Sequence, residues 1–360
     1  MMILLNKPIS PNIKKLNKYL ELVANNGWYT NFGPLHEDLT EKLEEYLGVK
    51  NLLLVSNGTF AIQVAAKALD ISNTVTTPFS FVATTSSLLW QGHKVAFCDI
   101  DPTSFNISCE QMKRVFLENT EYDSLLATHV YGNPCDVERI ENIAKEFNKK
   151  VIYDAAHAFS VNVGSKSVLN FGDASTLSFH ATKVFHTIEG GAIIFKDRDA
   201  FNRAKSLINF GINGDGTLGH PGINAKLNEY QSAVGLCLLD EISNIIEHRA
   251  DLFSLYRQQL ESVIEMPKWH EDASYNGAYM PICPSNYQVK QKICTILVEN
   301  KIQYRHYFSP SLDKAYPFVE NHGCPESNKV SDNAICLPLH SYMTKSDVLK
   351  ITTKIKEAIL

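Results

Sequence analysis

What most constrains this chain is where its short apolar runs stop. Leu52–Val55 ends at Ser56-Asn57-Gly58-Thr59, and Val151–Tyr153 ends at Asp154-Ala155-Ala156-His157. Leu125–Val130 is a third such run, and Lys94–Ile100, Thr176–Phe179 and Ala192–Phe195 also read as strands. Short apolar runs bounded by turn signals predict buried strands. Helical spacing fills much of the chain around them. Leu35, Leu39, Leu43 and Leu47 step by four and stop at Gly48, which predicts an amphipathic helix. Thr59–Leu69, residues 80–91 beyond the break at Pro78, and Asp136–Phe147 read as helices too. Strands alternating with helices favour a mostly parallel sheet covered on both faces, so the expected fold class is α/β. A helical stretch from about residue 228 leads to a mixed pattern beyond Pro267. A length of 360 residues is enough for two domains. The expected division is a large domain over residues 1–245 and a smaller C-terminal α+β domain over residues 246–360.

Three of the turns carry chemistry. Lys183 closes Ser178-Phe179-His180-Ala181-Thr182-Lys183, with Glu189-Gly190-Gly191 soon after. Asp154 stands at the end of a buried strand, and Gly58-Thr59 opens a helix directly after another. A lysine can form a Schiff base, a buried carboxylate can face a pyridinium nitrogen, and a helix N-terminus attracts a phosphate through its unpaired N–H groups. Pyridoxal phosphate needs all three. Each alone has an ordinary reading as a solvated lysine, a loop cap or a common turn. A net charge of −5 gives no case for nucleic acid or an anionic membrane. No run approaches the roughly 18 apolar residues of a membrane span. The eight cysteines are scattered, with no Cys-x-x-Cys pair, which argues for reduced thiols and no metal site. The apolar part of Met1–Lys7 is short for a secretory leader. The expected location is the cytoplasm.

Further segments concur, in order along nearly the whole chain. They are Asn26-Gly27-Trp28-Tyr29-Thr30 through Gly33-Pro34, Pro78–Thr84, His129-Val130-Tyr131-Gly132, Gly222–Lys226 and Cys336-Leu337-Pro338-Leu339-His340. Together with the three turns they resemble the DegT/DnrJ/StrS family of nucleotide-sugar aminotransferases, which are fold-type I pyridoxal phosphate enzymes. The resemblance implies the cofactor pyridoxal 5'-phosphate, cycling with its pyridoxamine form. It also implies roles. Lys183 would be the Schiff-base lysine and proton carrier, and Asp154 the partner of the ring nitrogen. Gly58, Thr59 and Ser178 would hold the phosphate. Phe81 would cover the ring, and His157 and His180 would line it. His157 stands where the family often has Gln. Asn224 would reach the phosphate of a neighbouring subunit, which implies a homodimer with shared active sites. The family commonly has Arg where Lys226 stands, and Lys cannot copy a bidentate contact. Trp28, Thr30, Asn31, His306 and Tyr307 are the candidate sugar-nucleotide contacts, although Trp28 can equally be a core residue.

The implied reaction is transamination with L-glutamate as donor and a nucleotide-linked keto-sugar as acceptor. The string from Ser178 to Gly191 is nearer to family members that aminate carbon 4. The expected substrate is dTDP-4-keto-6-deoxy-D-glucose, and the expected product serves lipopolysaccharide O-antigen or another glycoconjugate. A UDP-linked sugar or amination at carbon 3 are the rival substrate readings. Related dehydratases replace the lysine, typically with His, so Lys183 argues against that chemistry. It argues equally against a non-catalytic regulator.

Overall fold

The computed structural model describes residues 2–359. Among the described residues thirteen α-helices and twelve strands follow one another as α1 (Ile13–Asn26), α2 (Pro34–Leu47), β1 (Leu52–Val55), α3 (Gly58–Ala68), β2 (Asn73–Thr76), α4 (Val82–Trp90), β3 (Lys94–Phe97), α5 (Cys109–Glu118), β4 (Ser124–Thr128), α6 (Val137–Phe147), β5 (Lys150–Asp154), β6 (Asn162–Val163), β7 (Lys166–Ser167), β8 (Ala174–Ser178), β9 (Gly191–Phe195), α7 (Arg198–Leu207), α8 (Glu229–Leu239), α9 (Ile242–Leu260), β10 (Met280–Ile282), α10 (Tyr287–Glu299), α11 (Leu312–Ala315), β11 (Glu320–Asn321), α12 (Pro325–Asn333), β12 (Ile335–Leu337) and α13 (Lys345–Ile359). Eight strands form the main sheet in the order β1-β9-β8-β5-β4-β2-β3-β11. Only β9 runs against its neighbours, pairing antiparallel with β1 and β8. The C-terminal ends of β1, β8, β5, β4 and β2 therefore share one edge of the sheet, where ligands of open α/β sheets bind.

Successive side chains of a strand point to opposite faces, and the core divides accordingly. Leu52, Leu54, Leu125, Ala127, Val151 and Tyr153 pack with α1, α2, α5, α6 and α8 on one face. Leu53, Val55, Leu126 and Ile152 pack with α3, α4 and α7 on the other. Asp154 shares the parity of Ile152 and so faces the α3–α4 side. A third cluster gathers Leu252, Phe253, Tyr256 and the apolar residues of β10, α10, β12 and α13, together with Phe79, Val130 and Tyr131. The change of cluster falls within α9, whose Ile242 belongs to the first. Later residues return to the main sheet: β11 pairs with β3, and Leu312 and Val319 pack on the α3–α4 face.

The departures from the expected elements have physical reasons. Two of the four β2 residues are threonines, which hides the strand from an apolar-run reading. Both are buried, but Thr74 Oγ1 lies 2.9 Å from Ser124 Oγ, and Thr76 Oγ1 donates to the Leu126 carbonyl at 2.8 Å. With the hydroxyls satisfied, their β-branched shape fits a strand. The run Leu125–Val130 leaves the sheet after Thr128, because a 3-10 turn over Val130–Gly132 follows, with Tyr131 at φ +61°. The helical stretch beyond residue 228 breaks between Leu239 and Ile242 into α8 and α9. Helix α1 was not anticipated. Asn12 caps it by accepting from Lys15 N, and Gly27 ends it at φ +63°.

Candidate active site

Between β1 and α3 the chain turns through Ser56-Asn57. Asn57 Oδ1 caps the helix by accepting from Phe60 N at 2.8 Å. The N–H groups of Gly58 and Thr59 lie in the first turn, where no helical carbonyl can reach them. They and the helix dipole form an anion site. Ser178, at the end of β8, presses against Gly58. A Cβ added at Gly58 would meet Ser178 Cβ at 2.9 Å and its Oγ at 3.2 Å, so a side chain there would push the serine away.

Asp154 ends β5 and is buried. Its Oδ1 accepts from Ala156 N at 3.1 Å and its Oδ2 from Thr84 Oγ1 at 2.7 Å. Burial pushes the carboxyl above its ordinary range, and those two bonds and the Lys183 charge oppose the push. Lys183 sits in a loop that closes on itself. Phe179 N donates to the Gly190 carbonyl at 2.8 Å, Ala181 N to that of Ile188 at 2.7 Å, and Lys183 N to that of His180 at 2.9 Å. Asn6 Nδ2 straps the loop by donating to the Thr182 carbonyl at 2.7 Å. Burial lowers the Lys183 pKa, while Asp154 and Tyr307 act to raise it. Its Nζ lies 5.9 Å from the centre of the Tyr279 ring. Among the described residues it makes no ion pair.

His157 is buried and held neutral, its pKa pushed far down by burial and by Lys183. The ring lies parallel to Phe308 at 5.9 Å and 4.6 Å from Tyr279. Its Nδ1 is buried with no hydrogen-bond partner among the described residues. His180 is more exposed, with Nδ1 2.9 Å from Thr182 Oγ1 and Nε2 3.6 Å from Glu189.

One cavity of about 360 Å³ brings together Gly58, Thr59, Phe81, Asp154, His157, Ser178, His180, Lys183 and Tyr307. A second cleft of about 590 Å³ shares Thr182, Tyr279 and Tyr307 with it. Asn224, Trp28, Thr30, Asn31 and His306 line neither cavity. Asn224 is exposed and bridges Asn209. Lys226 Nζ donates to Asn209 Oδ1 at 2.7 Å. Trp28 is 50% exposed, which removes the core reading, and its Nε1 donates to the Thr30 carbonyl. His306 is exposed and packs edge-on to Tyr304. Three neighbours of the site went unread in the sequence: Thr84, Tyr279 and Phe308. Thr84 lies inside the segment Pro78–Thr84 and Phe308 directly follows the candidate contacts His306 and Tyr307, whereas Tyr279 belongs to no motif.

Residues 12–356 match the DegT/DnrJ/EryC1/StrS aminotransferase family. The chain belongs to that family. It is 36% identical to the dTDP-4-amino-4,6-dideoxy-D-glucose transaminase of Shigella dysenteriae, over 99% of this chain and 98% of that one. The Escherichia coli protein of the same name is also 36% identical, over 96% of each chain. The solved structure of DesI in the presence of its TDP-sugar product superposes with a TM-score of 0.92 at 24% identity, over 99% of this chain and 93% of that one. The fold is that of the fold-type I aminotransferases, and the protein is a pyridoxal phosphate-dependent member of the family. The cavity fits that cofactor on its own chemistry. An anion site, a buried carboxylate and a lysine that, among the described residues, is free of ion pairs open into one space, beside a buried imidazole nitrogen that lacks a hydrogen-bond partner among those residues.

Proposed function

We propose that this enzyme transfers an amino group from L-glutamate to dTDP-4-keto-6-deoxy-D-glucose, giving dTDP-4-amino-4,6-dideoxy-D-glucose. The observation that carries the reading is the 36% identity along nearly the whole chain to two transaminases named for that product. Pyridoxal phosphate, when bound, supplies an electron sink for the electron pair left when the carbon bearing nitrogen loses its proton. The Gly58 and Thr59 N–H groups and the Ser178 hydroxyl would hold its phosphate, Phe81 would cover its ring, and Asp154 would face its nitrogen as a carboxylate. His157 and His180 line the ring. Lys183 Nζ, whose pKa burial lowers, takes the proton from the donor carbon in one half-reaction and returns one in the other. A base made weaker by burial is more often unprotonated near neutral pH, which suits the task.

Trp28, Thr30, Asn31, His306 and Tyr307 contact the sugar nucleotide, and of these Tyr307 lines the cavity of its own chain. Asn224, which does not line the cavity of its own chain, completes the phosphate site of a second copy, so the working unit is a homodimer with two shared sites. Residues 1–245 and 246–360 act as the large and small domains. The enzyme works in the cytoplasm, and its product feeds lipopolysaccharide O-antigen or another glycoconjugate. The test is 2-oxoglutarate release from glutamate with dTDP-linked 4-keto, dTDP-linked 3-keto and UDP-linked 4-keto sugars, with sedimentation run in parallel. The dTDP-linked 4-keto sugar should turn over fastest, by a dimer. Preference for either other sugar would overturn the substrate, and a fully active monomer would overturn the shared site.

A further inference from the structure

Behind Asp154 lies a line of three hydroxyls, Ser80 and Thr84 from the segment Pro78–Thr84 and Thr128 from the end of β4. Thr84 Oγ1 donates to Asp154 Oδ2 at 2.7 Å, Ser80 Oγ lies 2.7 Å from Thr84 Oγ1, and Thr128 Oγ1 lies 3.0 Å from Ser80 Oγ. All three hydroxyl residues are at most 1% exposed, so water does not compete for these bonds. Each hydroxyl owns one proton. Thr84 commits its proton to the carboxylate, so Ser80 must supply the proton for its bond to Thr84. Thr128 must then supply the proton for its bond to Ser80. The direction is fixed from Thr128 through Ser80 and Thr84 to Asp154. Aligned hydrogen bonds polarise one another in a low-dielectric interior, and here every positive end points at the carboxylate.

The local backbone serves the same end. Thr84 lies in the first turn of α4, and its N–H donates to the carbonyl of Phe81 at 3.1 Å. One helical turn thus presents Phe81 to the cavity and Thr84 to the carboxylate. Thr128 comes from β4, where it pairs in register with Asp154. Lys183 and Tyr279 are coupled to the carboxylate by charge, and His157 shares its cavity. Lys183 favours its ionised form. Burial keeps His157 neutral and raises the Tyr279 pKa, so neither adds a charge. The other support is the single N–H of Ala156.

We propose that Thr84, backed by Ser80 and Thr128, is a positioning residue for transamination: the hydroxyl line holds the Asp154 carboxylate charged and turned into the cavity, where the ring nitrogen of the cofactor binds. The inference rests on the proposed role of Asp154 opposite that nitrogen. Burial alone disfavours a charged carboxylate, and a neutral Asp154 would leave a protonated ring without its counter-charge. The line can also reverse. If Asp154 is replaced by Asn, Thr84 can accept from the amide and donate to Ser80, so the packing survives while the charge is lost.

The experiment is a double-mutant cycle on the full-length chain, read as the dissociation constant for pyridoxamine phosphate. Thr84→Val replaces the hydroxyl by a methyl of similar volume, and Thr84→Ser keeps it. Removing a hydrogen bond to a charged group should weaken binding about tenfold in the parent background. The loss should shrink to about twofold or less when Asp154 is already Asn, because the charge it supports is gone. Thr84→Ser should restore binding. An unchanged constant for Thr84→Val would overturn the proposal, as would equal losses in both backgrounds, which would mean packing alone, or a failure of Thr84→Ser to rescue. Thermal unfolding reports whether each variant folds. If Thr84→Val does not fold, Ser80→Ala takes its place in the cycle. That change leaves the Thr84 bond but removes its polarising donor and the acceptor of the Thr128 hydroxyl, for a loss of about twofold. A parent chain that binds no pyridoxamine phosphate would instead overturn the cofactor site, and the purpose of the hydroxyl line with it.

Discussion

Glu229 is the first residue of α8, yet its carboxylate caps a different helix. Oε2 accepts from Leu35 N at 2.9 Å and Oε1 from His36 N at 2.8 Å, both in the first turn of α2. Its own N–H donates to the Tyr29 carbonyl at 3.1 Å. Gly33 leaves the room, since a Cβ there would meet Glu229 Cδ at 2.7 Å. The segment Trp28–Gly33 is therefore pinned from both ends. Glu229→Gln keeps one acceptor and sets an amide against the other N–H. One hydrogen bond to a charged group is lost, worth about 1.5–3 kcal/mol, along with a favourable charge at a helix N-terminus, worth about 0.5–1 kcal/mol. Relaxation offsets part of the sum, leaving local opening easier by about 2 kcal/mol. Hydrogen exchange of a peptide over residues 28–40 should then run about 30-fold faster where exchange follows the opening equilibrium. A segment over residues 150–154 should exchange as before. The KM for the sugar nucleotide should rise while the glutamate half-reaction keeps its rate. Unchanged exchange at Leu35 and His36, or acceleration spread evenly along the chain, would refute this reasoning.

Lys183→Ala should abolish turnover yet still retain the cofactor noncovalently, as absorbance after dialysis would show; an active alanine variant contradicts the assignment. Asp154→Asn should cut the rate roughly a hundredfold, about 3 kcal/mol of electrostatic stabilisation, as steady-state kinetics would measure. The same change should raise the melting temperature of the cofactor-free protein at pH 7. Burial raises the Asp154 pKa in the folded state, so its contribution to stability is full below the ordinary carboxylate value and is lost as pH rises through the raised one. The advantage of Asn should therefore vanish near pH 3, and a variant that melts lower at pH 7 speaks against the buried-charge account. The rate of the glutamate half-reaction should rise with pH and level off below the ordinary lysine value, because burial lowers the Lys183 pKa. A limb at the value of free lysine in stopped-flow pH profiles would show that some other group carries the proton.

The readable parts of the chain were those whose structure is set locally. Leu52–Val55 is apolar at every position, and it is a strand with those bounds. Asn73–Thr76 is buried at all but its first position, but its hydroxyls are satisfied by Ser124 and Leu126, some 50 positions away. Lys183, Asp154 and Gly58-Thr59 were legible because each occupies a turn whose chemistry shows in a few consecutive residues. Thr84 is 70 positions from the carboxylate it supports, and nothing in its own neighbourhood announces that contact. Tyr279 reaches the cavity because buried Arg249 grips the Gly277 and Ala278 carbonyls. Gly277 sits at φ +58°, where a Cβ would strike the Arg249 carbonyl oxygen at 2.6 Å. A lone arginine in a helix and a lone glycine in a loop give no sign of that pairing until the chain is folded.

The most direct test of the proposed reaction follows one nitrogen atom. The full-length protein, with pyridoxal phosphate, is incubated with L-glutamate labelled with ¹⁵N and with dTDP-4-keto-6-deoxy-D-glucose, and the labelled product is examined by NMR. The account predicts ¹⁵N bonded to carbon 4 of the dTDP-linked sugar, with an equal amount of 2-oxoglutarate formed. Label at carbon 3, or no label in the sugar while 2-oxoglutarate still accumulates, would contradict it.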